Sequence, residues 1–262
     1  MARFQGKASE ATTIPGKPTP TGFKIWAIAQ AGFIIQWVFH IPGEKNGPVG
    51  VKTPIELGGT KRDGRGGNKT QAVAYELLTK LPGTGYHCFM DNLFVSTKFL
   101  EFLRTKGYGA TGTCRTNSGV VQELIAWKAS DKGDRIPWGT IQTYPTPSGN
   151  VLQMGFKDNA AVLGMTTVMD GTTTTKALRH KPKATFTSAR TARAPYGDNE
   201  YTKIMDIPEW IDTYNHHMNG VDRADQMAAM NAGLRPVRRG GWQAIEHWLL
   251  RVVLVNCFML AW

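Results

Sequence analysis

A chain of 262 residues is long enough for one large domain or two small ones, each with a real core. Hydrophobic residues make up 41% of it, which excludes a chain disordered throughout. A net charge of +11 favours a polyanionic partner, and DNA, RNA and an acidic membrane surface all meet that requirement.

Residues 11–22 carry Pro15, Pro18 and Pro20 and read as a loop. Phe23 to Ala29 alternates as a strand does, and Phe33 to Ile41 reads as a second strand closed by Pro42-Gly43. The glycine-rich, polar stretch 42–68 reads as a surface loop. Thr70 is suited to cap a helix over about 71–81, with Ala72, Tyr75, Leu78 and Leu81 near one face. Tyr86 to Met90 reads as a short buried strand, with Asp91 at its C-terminal end. Ser96 is suited to cap the next helix, whose apolar side carries Phe99, Leu100, Phe102 and Leu103. Gly107 stops it, and Tyr108 to Cys114 is another strand. Residues 22–114 therefore read β-β-α-β-α-β, an α/β layer with mixed strand directions.

Beyond residue 117 the chain changes character. Strand candidates Ile141–Tyr144, Val151–Phe156 and Ala161–Val168 alternate with turns. Lys176, Arg179, Lys181, Lys183, Arg190 and Arg193 read as a solvated basic loop, and the stretch 117–208 as an insertion. A helix is expected from Ile211 to about Met230, followed by a basic turn with Arg235, Arg238 and Arg239. Trp242 to Trp262 is apolar almost all round, which predicts a buried helix with Trp242 and Trp248 in the core. Arg251 and Asn256 interrupt its apolar tracts short of the roughly 20 residues a span needs, so no membrane partner is expected.

The N-terminus shows no secretory signal pattern. Cys88, Cys114 and Cys257 make no CxxC pair and no zinc-ligand spacing, which points to a reducing intracellular compartment. Gly64 to Thr70 fails the phosphate-loop pattern, because Asp63 and Asn68 stand where its glycines belong.

Two acidic signatures carry the chemistry. Asp91 ends a strand, and Asp222 and Asp225 lie three apart on one helix face. Taken separately, Asp91 also reads as a turn cap and the helical pair as a solvated face. Taken together, aspartates from a strand end and a helix suit two Mg²⁺ ions about 3.5–4 Å apart, the arrangement that drives phosphodiester chemistry. Arg115, Arg235, Arg238 and Arg239 are candidate phosphate contacts or a generic basic surface. His216 and His217 read as solvent-facing or capping residues.

The run Asp91-Asn92-Leu93-Phe94 with Ser96 resembles a signature of piggyBac-type transposases. Gly112 to Asn117, Asn219-Gly220-Val221-Asp222 with Asp225-Gln226-Met227, and Trp242 followed by Asn256 resemble later motifs of that family, in the same order. Met1 to Lys7 and Gly22-Phe23-Lys24 resemble the stretch after its first catalytic aspartate. The resemblance implies a ribonuclease-H-like mixed sheet with flanking helices and a β-rich insertion. It assigns 1–116 and 209–262 to the core and 117–208 to the insertion. It implies DNA cleavage and strand transfer with divalent metal, Mg²⁺ or Mn²⁺, with Asp91 and Asp222 catalytic and Asp225 auxiliary. Dimeric assembly and a nuclear location follow from the same resemblance. The first aspartate and the central core strand are expected outside this chain, so weak metal binding and no cleavage are expected of it alone. A DNA-binding remnant without chemistry is the alternative.

Overall fold

The computed structural model describes residues 1–4, 6–17, 19–43, 50, 54–57, 69–131, 135–184, 189–230 and 241–261. In chain order the elements begin with strands β1 (Ala2–Arg3), β2 (Ala11–Thr13), β3 (Thr21–Phe23), β4 (Ile25–Gln30) and β5 (Phe33–Phe39). Helix α1 (Lys69–Thr79), strand β6 (His87–Met90), helix α2 (Thr97–Thr105), strand β7 (Gly109–Thr113) and helix α3 (Gln122–Ser130) follow. Next come strands β8 (Ile141–Pro145), β9 (Leu152–Lys157), β10 (Ala161–Thr166) and β11 (Thr174–His180), helix α4 (Ala189–Arg193) and strand β12 (Thr202–Pro208). Helices α5 (Glu209–His217), α6 (Gly220–Met230) and α7 (Gly241–Ala261) close the series. Two compact units divide the chain, Met1–Gly83 with His217–Trp262 as unit 1 and Thr84–His216 as unit 2.

Unit 1 holds two small antiparallel sheets. In the first, β3 pairs with both β1 and β2, so the Pro-rich stretch expected as a loop contains two strands around its turn. In the second, β4 and β5 form a hairpin whose two-residue loop, Ala31-Gly32, has φ of 53° and 111°. Two positive φ angles suit the right-handed twist of the flanking strands, and glycine at the second position adopts one without strain. Phe4 and Phe23 pack with ring centroids 5.0 Å apart beside Ala2 and Ala244. Ile34, Ala224 and Val252 form a second cluster, with Trp37 and Trp248 packed against it. Helix α1 begins at Lys69, which puts Thr70 inside its first turn rather than at the cap.

The last helix departs from expectation. Only one side of α7 is packed, through Ala244, Val252 and Val255, while Leu250, Val253, Leu254, Phe258 and Leu260 are exposed. Trp242 is 75% exposed, so it is not a core residue, whereas Trp248 is half-buried against both unit 1 clusters. An apolar helix presents hydrophobic side chains on every side, and one packed face of a cylinder leaves the others bare. Among the described residues, Trp242–Ala261 is the helix long and apolar enough to cross a membrane by length and composition, which corrects the expectation that its polar residues cut it short. Its packed side chains tie it to a folded core.

Unit 2 is built on a five-stranded sheet of order β6-β7-β10-β9-β8. Strands β6 and β7 run parallel and the other neighbours antiparallel. Helix α2 makes the crossover between the parallel pair. Ser96 caps it as expected, accepting from the Phe99 N–H at 3.2 Å, and Phe99, Leu100, Phe102 and Leu103 are buried. Pairing of β7 with β10 joins residues 84–116 to the stretch beyond 117, so the compact units divide at 83/84 and 216/217. The expected basic loop is largely ordered: Lys176 and Arg179 lie on β11, which pairs with β12 over seven residues. Arg179 pairs with Asp158, and the Lys181 ammonium donates to the Gly197 carbonyl at 2.7 Å. Met154, Phe156, Ile207, Trp210 and Ile211 form a buried cluster. The expected continuous helix over 211–230 is two helices, broken at Met218-Asn219.

Candidate functional site

The C-terminal ends of the parallel strands β6 and β7 lie side by side, with Met90 opposite Gly112. Asp91 therefore follows one strand end as Thr113 closes the other. Asp91 stands just beyond the last paired residue of β6. A Cβ on Gly112 would meet the Met90 carbonyl oxygen and the Val95 side chain, so the motif needs glycine there for a tight strand approach. The Phe94 N–H closes a turn on the Asp91 carbonyl at 3.0 Å, and the Asp91 carboxylate accepts from the Asn92 N–H at 2.6 Å. Asp91 itself is exposed.

Arg115 reaches the turn that carries Asp91. Its Nε donates to the Asn92 side-chain oxygen at 3.0 Å, which fixes the turn that carries Asp91. Tyr214 on α5 was not singled out by the sequence reading. Its ring is buried and its hydroxyl lies 3.3 Å from the Thr113 hydroxyl. Burial holds the Tyr214 phenol above its ordinary value, and the Asp91 charge pushes the same way against the Thr113 hydrogen bond. Unit 2 thus gathers Asp91, Asn92, Thr113, Arg115 and Tyr214 at one corner. No sequence signal announces the Thr113–Tyr214 pair, which spans 101 positions.

Asp222 and Asp225 belong to unit 1, where both are exposed on α6. Gly220 is buried at the start of this helix, and a Cβ there would sit 2.7 Å from the Ala29 carbonyl oxygen. The glycine before Asp222 is therefore a close-approach residue that seats the helix on β4. At the hairpin turn, a Cβ on Gly32 would meet the Met227 sulfur at 3.3 Å and the Arg223 side chain at 3.6 Å. Asp225 lines a pocket with Arg251, Trp248 and Val252. His216 fills a local capping role, with Nδ1 at 2.8 Å from the Asp212 carbonyl oxygen. Arg235, Arg238 and Arg239 lie outside the described residues.

The exposed carboxylates of Asp91, Asp222 and Asp225 supply the hard oxygen donors that Mg²⁺ and Mn²⁺ prefer. Among the described residues, no group of three or more His, Cys, Asp or Glu side chains stands where it would hold a metal ion. Burial pushes the Cys88 and Cys114 thiols up to about 12, so both stay protonated at neutral pH.

A family model described as Transposase IS4 matches residues 1–258. The Homo sapiens PiggyBac transposable element-derived protein 3 is 27% identical over 228 residues, covering 86% of this chain and 33% of that protein. The Homo sapiens Chimeric ERCC6-PGBD3 protein is 27% identical over the same share of this chain and 18% of its own length. Among solved structures, the cryo-EM structure of a piggyBac transposase synaptic complex with hairpin DNA is similar over 98% of this chain and 44% of that chain, with a TM-score of 0.66 and 19% identity. The chain therefore spans a third of the first human relative and less than half of the solved one.

Proposed function

This chain belongs to the Transposase IS4 family and is related to piggyBac, and on that footing we propose that it is the catalytic region of a DNA-cutting and DNA-joining transposase. The observation that carries the reading is Asp91, exposed at the ends of two parallel strands in a corner braced by Arg115 and Tyr214. The fold behind it is a ribonuclease-H-like core over 1–116 and 209–262 with an insertion over 117–208. A further strand carrying the first aspartate would lie along the edge of β6, which pairs only with β7 among the described strands.

In this reading Asp91 and Asp222 hold the divalent metal, Mg²⁺ or Mn²⁺, and Asp225 supports them. When bound, the metal activates the attacking oxygen and stabilises the leaving one in phosphodiester cleavage. The residues of this chain do the rest. Arg115 and Asn92 keep the Asp91 turn in one conformation. Tyr214 stays protonated and holds the Thr113 end of the neighbouring strand. Basic side chains across a chain of net charge +11 attract the phosphate backbone in the nucleus. Dimeric assembly belongs to the same proposal.

The first aspartate is assigned to a residue outside these 262, so the chain alone is expected to bind metal weakly and not to cleave DNA. The test is strand cleavage on duplex DNA with Mn²⁺. In the longer protein, Asp91→Asn or Asp222→Asn should abolish it, and cleavage retained in either variant would remove that residue from the site. Metal-dependent cleavage by the 262-residue chain, lost in Asp91→Ala, would overturn the inactivity. The charge also favours a second reading, a DNA-binding protein without chemistry, in which Asp222→Ala leaves every measured activity unchanged.

A further inference from the structure

Asn256 sits in the C-terminal half of α7, and its side chain makes two hydrogen bonds to a single residue 222 positions away. Its amide oxygen accepts from the Ile34 N–H at 2.9 Å, and its amide nitrogen donates to the Ile34 carbonyl at 2.8 Å. A primary amide engaging both backbone groups of one strand residue does what a neighbouring strand does. The hairpin of β4 and β5 is a two-stranded sheet, so among the described residues the outer edge of β5 has no strand partner. Asn256 closes that edge at Ile34, which is only 5% exposed.

The position along the hairpin matters. The register shifts by one residue between Ile28 and Ala29, so Ala29 faces Ile34 across the ladder. Ala29 is also the residue whose carbonyl Gly220 approaches. The chain of contacts therefore runs from the Asn256 amide to Ile34, across one strand pair to Ala29, and from there to the first turn of α6. The tight Ala31-Gly32 loop, packed under Met227 and Arg223, holds the same helix from the hairpin tip. Trp248, two turns before Asn256 on α7, stands edge-on to Trp37 of β5 at 5.7 Å and fixes the rotation of α7 over the hairpin. An alanine or leucine at position 256 would leave Ile34 with an unpaired N–H and C=O in a buried place.

We propose that Asn256 is a positioning residue for Asp222, acting through the β4–β5 hairpin on which the first turn of α6 is seated. The role in chemistry rests on the reading of Asp222 as a metal-holding carboxylate. The coupling between Asn256 and α6 does not, and it is measured separately.

The experiment is residue-resolved amide hydrogen exchange on the 262-residue chain. It compares the wild type with Asn256→Leu, Asn256→Asp and, as a control of similar severity in unit 2, Ser96→Ala. In Asn256→Leu, the Ile34 amide and the α6 amides of residues 223–225 should exchange about tenfold faster or more, the factor for losing a buried hydrogen bond. Amides of β1 and β3 should stay near wild type. Asn256→Asp keeps an acceptor for the Ile34 N–H, so that amide should remain protected while α6 shows an intermediate change. Ser96→Ala should leave both segments alone. Opening of Ile34 with unchanged exchange in α6 would overturn the proposal, because the amide would then only close a strand edge. Uniform acceleration through all of unit 1 would overturn it too, as a general loss of stability. Mn²⁺ titration by calorimetry on the same proteins keeps the two readings apart. Weak binding is expected of the 262-residue chain, so the titration extends to metal concentrations that fill weak sites; no binding even there counts against the metal role of Asp222 and leaves the exchange result standing.

Discussion

The two units hold their carboxylates by different means. In unit 2, Asp91 is placed by strand register and then by polar bonds, its turn tied to Arg115 through Asn92 and its neighbouring strand tied to Tyr214. In unit 1, Asp222 and Asp225 ride on a helix seated by shape, with Gly220 against the Ala29 carbonyl and Met227 over Gly32. A polar anchor tolerates small shifts because its partners are side chains with rotamers to spare. A backbone-to-backbone fit tolerates almost none, since neither side has anything that rotates away. The helical carboxylates therefore stand on the less forgiving support.

The reliance of unit 2 on polar bonds is deepest away from the site. Lys157 is 1% exposed and its ammonium meets the Asp131 carboxylate at 3.0 Å, and the same carboxylate accepts from the Ala161 N–H. Asp131→Ala takes one carboxylate from that buried cation and should destabilise unit 2 by up to about 3–5 kcal/mol, the largest effect predicted here. Urea unfolding followed by amide exchange should show the loss in β8, β9 and β10 and spare the β4–β5 hairpin. An equal loss in both units would break the comparison.

Gly220→Ala makes the converse test. The added methyl collides with a backbone oxygen, so α6 must lift or β4 must move, at about 1–3 kcal/mol. The exchange change should lie in α6 and β4. Ser96→Ala removes the side-chain bond to Phe99 and should weaken α2 by about 1 kcal/mol in thermal unfolding. A silent Gly220→Ala beside a costly Ser96→Ala would invert the contrast drawn above.

Smaller effects sharpen the Asp91 corner. The Tyr214 phenol is held above its ordinary value of 10.0, first by burial and then by Asp91. The stability it contributes is whole below that ordinary value and is lost as pH rises through the higher folded value. Phenolate absorbance, wild type minus Tyr214→Phe, should therefore show one late-titrating tyrosine. Asp91→Asn should move it down, because one raising influence is gone. Thiol labelling gives the mildest readout. Cys257 is exposed and should react at once with a thiol reagent, while Cys88 and Cys114, pushed up to about 12, should wait for unfolding.

Local elements were legible in the sequence, and long-range pairings were not. The Ser96 cap and α2 follow from a capping residue ahead of Phe99, Leu100, Phe102 and Leu103, a signal contained in eight positions. The β6 strand with Asp91 at its end was legible for the same reason. The β7–β10 pairing carries no local signature, so the link it makes between residues on either side of position 117 was not legible. Strand β11 was hidden by charge: Lys176 and Arg179 suggested a solvated loop, although Thr174, Lys176, Leu178 and His180 alternate outward as strand residues do. Helix α7 misled in the opposite direction. Apolar composition all round was taken for full burial, and only the Ala244, Val252 and Val255 side is packed. At the candidate site, the aspartates proposed to carry the chemistry were visible as motifs. Their supports, Tyr214 on Thr113 and Asn256 on Ile34, join positions more than a hundred apart and were not.

The most direct test of the functional account is DNA binding by the 262-residue chain across a salt series, with and without Mn²⁺. It compares the wild type with the double variant Asp91→Asn, Asp222→Asn. The account predicts affinity for duplex DNA that falls linearly in log–log form with salt. It also predicts that Mn²⁺ strengthens binding by the wild type and not by the double variant. Absence of binding at low salt, or an identical Mn²⁺ effect in both proteins, would contradict it.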